Sequence, residues 1–248
     1  MPQPFATKLN RNPHAQFFTD SGMQRRHKLA VAFAEAMEQF AVCEGVLGSL
    51  FLVLNADQPE SALDLLVEKI SFSQRISLVR DCADRLSKED RALIWAVTDR
   101  ASTAAGMRNK IAHCTWGYSD ILPDAVLQMP TSKSNHVMCE RLKDRVGLAP
   151  SYETSEAGVM VYEQRDFDDI RLAAVNATAP LDMLSNYIMN DEASRGVFRT
   201  QILSDSETEK RYNKRLLEDV THSLWARSAN KIGSLTTKMS RLIGCLKA

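Results

Sequence analysis

The amino-acid sequence predicts an all-α fold: a helical bundle with a small irregular or two-stranded insert and a C-terminal helical extension. Three observations predict it. Apolar residues recur at steps of three and four through 23–114 and again through 165–190. Turn residues gather between those stretches, at Gly117, Pro123, Pro130, Gly147, Pro150 and Gly158. Cap signals separate the periodic runs.

Residues 1–22 carry no sustained period and read as an N-terminal arm, with Phe17 and Phe18 as anchors. From about Met23 a stripe begins at Leu29, Phe33, Ala36, Phe40, Cys43, Leu47, Leu50 and Leu54. It predicts a helix of roughly 30 residues, long enough for a bundle core or a dimer seam. Asp57 reads as a cap and Pro59 as the first turn of a short helix over 59–69. Ser71 opens the next helix, carried by Phe72, Ile76, Val79, Ala83 and Leu86. Ser87-Lys-Glu-Asp90 resembles a capping box and opens another, with Leu93, Val97, Ala101, Ala104 and Ile111 inward. Within the insert, at about 118–165, Ala125–Met129 and Val159–Tyr162 are strand-like and able to pair, and Val137–Arg145 is a possible helix. Phe167, Ile170, Ala174, Ala177, Leu181, Leu184 and Ile188 restore the helical period to about 190. Pro180 is expected to kink or split that helix. Residues 190–206 read as polar and turn-rich. The extension 191–248 ends in a helical tail with Leu217, Val220, Leu224, Ile232, Leu235, Met239 and Leu242 inward.

Composition narrows the function classes. Apolar residues form 44% of the chain, and 31 basic residues balance 31 acidic ones. A uniformly cationic nucleic-acid coat is excluded, so an anionic partner must meet a local patch. From residue 207 onward nine Lys and Arg stand against four Asp and Glu, a basic tail that reads as an exposed helix face. The longest apolar stretch, Val46–Leu54, is broken by Gly48 and Ser49, so no membrane-spanning helix is expected. Met1–Asp20 has no signal-peptide pattern. Five dispersed cysteines without a Cys-x-x-Cys suit a reducing compartment, and a cytoplasmic location is expected. There is no P-loop, G-x-G-x-x-G, H-E-x-x-H or G-x-S-x-G motif.

One segment carries chemistry: Met107-Arg108-Asn109-Lys110-Ile111-Ala112-His113-Cys114-Thr115-Trp116-Gly117. On a helix Asn109 and His113 share a face, and Arg108 lies about 140° away with a side chain long enough to reach round. These residue types suit cleavage of a phosphodiester beside a 2′-hydroxyl. Histidine, with an ordinary pKa of about 6.5, serves as base or acid at neutral pH. Arginine holds two phosphate oxygens at once. An amide orients the site, and no metal is needed. One imidazole cannot easily act on both sides of one phosphorus, which a symmetric dimer resolves.

Arg108-Asn109-Lys110-Ile111-Ala112-His113 resembles the Arg–polar–x–x–x–His signature of the HEPN superfamily, and the form followed by Trp116 is a frequent one. The resemblance covers 23–118, with the helix at 165–190 as a closing element. It implies a helical domain that dimerises around the motif. It implies a metal-independent ribonuclease acting on RNA in a toxin–antitoxin or anti-phage defence setting, with an antitoxin or regulatory protein as a further partner. It implies catalytic roles for Arg108 and His113 and a supporting one for Asn109, with no cofactor. The family often adds an acidic residue; Glu35, Glu38 and Glu44 remain open. Other members keep the fold and only bind, so a non-catalytic nucleotide-, RNA- or protein-binding module is the second reading.

Plainer readings stand beside these. His113 suits a helix C-terminus as a cap, and Arg108 an ion pair. Trp116 fits the core better than a base-stacking platform. His113-Cys114 with His136 and Cys139 is an awkward zinc set, and no metal is assigned. Arg25-Arg26-His27-Lys28 reads as a solvated helix start. His14 and His222 fit no pattern.

Overall fold

The computed structural model describes residues 1–5, 22–69, 71–145, 158–219 and 221 of the 248-residue chain. It is mainly helical with one four-stranded antiparallel sheet. In chain order the elements are β1 (Gln3–Pro4), α1 (Gly22–Arg25), α2 (His27–Leu54), α3 (Pro59–Glu68), α4 (Phe72–Ala83) and α5 (Lys88–Ala112). Then come β2 (Cys114–Gly117), β3 (Val126–Pro130), α6 (Thr131–Arg145), β4 (Met160–Tyr162), α7 (Gln164–Met189) and α8 (Glu192–Leu203). Residues 206–219 form α9.

Sequence period and burial agree along α2. Leu29, Ala36, Phe40, Cys43, Leu47 and Leu50 are buried, while Phe33 and Leu54 are partly so. The helix is also apolar enough, with a mean hydropathy of 1.5 in an 18-residue window, to pass by length and composition as a membrane span. Here its buried stripe packs mainly on α7, and α4 and α5 close the bundle around it. Pro59 occupies the first turn of α3 as expected, but Asp57 is not its cap: Gln58 stands there without a side-chain bond. Ser71 makes a full capping box with Gln74. Ser87 accepts from the Asp90 backbone N–H at 3.1 Å.

Three expectations are corrected. Pro180 does not split α7, which continues through it to Met189 with the proline buried in its middle. The missing N–H costs one bond, and packing against α2, α5 and α8 holds the flanking turns. The turn-rich segment at 190–206 holds α8, capped by Asp191, whose carboxylate accepts from the Ser194 N–H at 2.9 Å. Leu217 is 66% exposed, and Tyr212 and Leu216 turn inward instead, so the inward face of α9 is displaced from the expected one. The tail from 222, with Leu224, Ile232, Leu235, Met239, Leu242 and His222, lies outside the described residues. So do Val220, His14, Phe17 and Phe18.

The insert is more ordered than a two-stranded ribbon. The strand order is β1-β4-β3-β2, with Val126 opposite Tyr162 and Trp116 opposite Gln128. The two expected strands, β3 and β4, do pair. β2, which follows directly on α5 where the sequence shows only a turn-rich stretch, and β1, from the arm, extend the sheet. Alternation sorts its side chains. Val126 and Tyr162 join Leu29, Ala36, Ile111, Phe167 and Ile170 on the helix side. Leu127, Met129 and Val161 pack with Phe5 on the other.

Trp116 belongs to the helix-side cluster, edge-on to Phe33 at 6.0 Å and to Tyr162 at 5.3 Å. It is core, as the plainer reading had it. Arg25, His27 and Lys28 are exposed at the start of α2, as expected, while Arg26 is half-buried. Both arginines lie over the Tyr118 ring, and Arg26 donates to the Ser119 and Leu122 carbonyls, tying α1 to the loop after β2.

Ionic contacts dock α9. Arg91 meets Asp219 at 2.7 Å, and Arg100 bonds Asp205 and Thr208. Arg80 and Arg215 both lie over the Trp95 ring, at 4.4 and 4.6 Å, and share Asp99. A cleft of about 580 Å³ here is lined by these paired charges. The described part of the basic tail is thus largely consumed by ion pairs.

Gly22 shows how closely α1 sits on β2: a Cβ there would collide with the Gly117 backbone carbonyl. Backbone cannot yield as a flexible side chain can. Gly22→Ala is expected to lower stability by about 1–3 kcal/mol in urea unfolding. The helix-propensity gain of Ala over Gly, about 1 kcal/mol, predicts the opposite sign.

Candidate functional site

The last turn of α5 and its exit build the site. α5 ends at Ala112, and His113 is its C-cap, with φ −114° and ψ 66°. β2 begins at the next residue. A helix end leaves its last carbonyls without intrahelical donors. The insert supplies donors. Gln128, on the helix-facing side of β3, donates to the Lys110 carbonyl. Thr131, at the start of α6, donates to the His113 carbonyl at 2.8 Å. The Cys114 thiol donates to the Ile111 carbonyl at 3.1 Å. The motif backbone is thereby held by residues that follow it on the sheet and on α6.

Arg108, Asn109 and His113 line one cleft of about 630 Å³ between α2, α4 and α5. Asn109 and His113 are exposed, and Arg108 is half-buried. An Arg108 Nη1 donates to Asn109 Oδ1 at 3.1 Å, and the guanidinium lies 5.5 Å from the centre of the Phe40 ring. Arg108 Nε is buried and finds no hydrogen-bond partner among the described residues. So the three side chains singled out by spacing do share one cavity, and Arg108 does reach round to it.

No family model, no curated protein and no solved structure matches the chain.

The rest of the cleft comes from other helices. Of the three acidic residues left open, Glu44 lines it, while Glu35 and Glu38 are exposed and do not. Glu44 Oε1 pairs with Arg75 Nη1 at 3.3 Å, and Arg75 Nε donates to the Lys69 carbonyl at 3.0 Å. Phe40, Phe72 and Ile76 make the apolar floor, and Ser71, Ser73 and Ser102 contribute hydroxyls. Phe72 and the serines were not singled out for function. Their sequence signals, a helix-periodic aromatic and a cap, are those of ordinary structure. Among the described residues no three His, Cys, Asp or Glu side chains converge as a metal site.

Behind the motif, burial raises the Cys114 thiol to about 11 and the Tyr162 phenol to about 12. Both stay protonated at neutral pH, so Cys114 keeps the proton it donates to Ile111.

Two outcomes test this construction. Thr131→Val is expected to cost about 1 kcal/mol in urea unfolding, with Thr131→Ser restoring most of it. Cys114 should alkylate far more slowly than exposed Cys139 at about pH 8.5 in the native protein, with its rate climbing toward pH 11. Peptide mass spectrometry after timed iodoacetamide treatment reads both rates.

Proposed function

We propose that the protein is a metal-independent endoribonuclease of the HEPN type, working as a homodimer in a toxin–antitoxin or anti-phage setting. The observation that carries this reading is the convergence of Arg108, Asn109 and His113 on one nucleotide-sized cleft. Two further features support it. The buried, unpartnered Arg108 Nε costs about 1–3 kcal/mol unless something accepts from it, and a phosphate oxygen is a fitting acceptor. The exposed imidazole of His113 sits on a backbone fixed by Thr131, a suitable mounting for proton transfer.

The reaction is a transphosphorylation. His113 of one protomer takes the proton of the 2′-hydroxyl, whose oxygen attacks the adjacent phosphorus. The P–O5′ bond breaks, and His113 of the partner protonates the departing 5′-oxygen. Arg108 balances the charge gathering on the non-bridging oxygens. Asn109, bonded to Arg108, orients it. The products are a 2′,3′-cyclic phosphate and a 5′-hydroxyl.

A second reading is a non-catalytic nucleotide-, RNA- or protein-binding module, and Glu44 favours its protein-binding form. A carboxylate in the same cleft opposes a passing polyanion, and the net charge of the chain is zero.

Purified wild-type protein in EDTA should cut single-stranded RNA to cyclic-phosphate ends. His113→Ala and Arg108→Ala should each lower the rate about 10²–10⁴-fold. RNA left intact by the wild type, or cut equally by the His113→Ala protein, overturns the nuclease reading.

A further inference from the structure

We propose that the cleft holds one guanine base of a single-stranded RNA, stacked on Phe72 and read at its donor edge by Glu44. The proposal rests on the reading above that this cleft acts on RNA, and it names the base that the cleft accepts.

Size and lining come first. A volume of about 630 Å³ suits a nucleotide-sized ligand. RNA bases that leave a strand stack on aromatic rings and are read along their Watson–Crick edges. Trp116 cannot serve, because Phe33, Tyr162 and Phe167 surround it. The Phe40 ring is buried and covered by the Arg108 guanidinium. Phe72 is the aromatic ring of the lining that remains half-exposed. It lies 4.9 Å from Phe40, inclined by 55°.

The reading group is Glu44. Its side chain is 29% exposed, and the paired Arg75 is anchored in turn on the Lys69 carbonyl. An ionised carboxylate only accepts hydrogen bonds. Guanine presents two adjacent donors, N1–H and the 2-amino group, which one carboxylate can accept together. Adenine and cytosine each present a single amino group beside a ring-nitrogen acceptor. Uracil presents N3–H between two carbonyl oxygens that a carboxylate repels. The same cleft presents Arg108, Asn109 and His113 to the phosphate attached to that base.

The test is titration of the full-length protein with guanosine, adenosine, cytidine, uridine and inosine 3′-monophosphates, beside cleavage of RNA oligomers holding one of each base. The guanosine nucleotide is expected to bind at least about tenfold tighter than the others. Inosine 3′-monophosphate, which lacks only the 2-amino group, should lose about that factor, a result independent of any variant's folding. Glu44→Gln should erase the preference. Phe72→Leu should weaken every nucleotide about tenfold, and Phe72→Trp should not. Equal affinities, a preference untouched by Glu44→Gln, or no nucleotide binding overturns the base site. RNA cut without base preference sinks this proposal and leaves the nuclease. Uncut RNA with Glu44-dependent guanosine binding sinks the nuclease and leaves the base site.

Discussion

At residue 113 the chain changes from helix to strand within one residue, and the rest of the site depends on how that change is held. A helix that stops inside a protein exposes carbonyls that water no longer reaches freely. Here Gln128, Thr131 and Cys114 answer three of them. β2 carries Trp116 straight into the aromatic cluster of Phe33, Tyr162 and Phe167. The small sheet is therefore less an appendage than the stop for α5. Without it the last turn, which carries Arg108, Asn109 and His113, would fray.

The two sides of the bundle are held by different forces. Around α2 and α7 the contacts are apolar and nearly continuous, from Leu47 and Leu50 to Leu181 and Leu184. Around α9 much of the contact is charged, with Trp95 between Arg80 and Arg215 and Asp99 serving both. Partly exposed ion pairs are individually weak and screened by salt, whereas apolar contact area is not. The motif cleft lies on the apolar side, walled by α2, α4 and α5.

Much of this was legible in sequence. The steps of three and four along α2 and α7 named most of the buried face, since only one face of each helix meets a core. The motif spacing also foretold that Asn109 and His113 share a cavity. What escaped was set by contacts distant in sequence. β2 is four residues long and ends in Gly117, so only its pairing with β3 shows it as a strand. α8 hides its apolar face because Val197 is exposed and Ile202 is buried. Pro180 does not split α7, because packing on both flanks holds the turns around it. Glu44 could not be told from Glu35 and Glu38 until α4 set Arg75 opposite it.

The order of synthesis gives the stop at residue 113 a temporal meaning. The motif leaves the ribosome well before the residues that terminate its helix, β3 at 126–130, and earlier still than α7 at 164–189, which packs along α2. A nascent chain carrying Arg108 and His113 lacks both the fixed turn and the core beneath it. Neither the turn nor the packing along α2 is complete until some seventy-five further residues have emerged, a lag between the synthesis of the motif and its fixing in place.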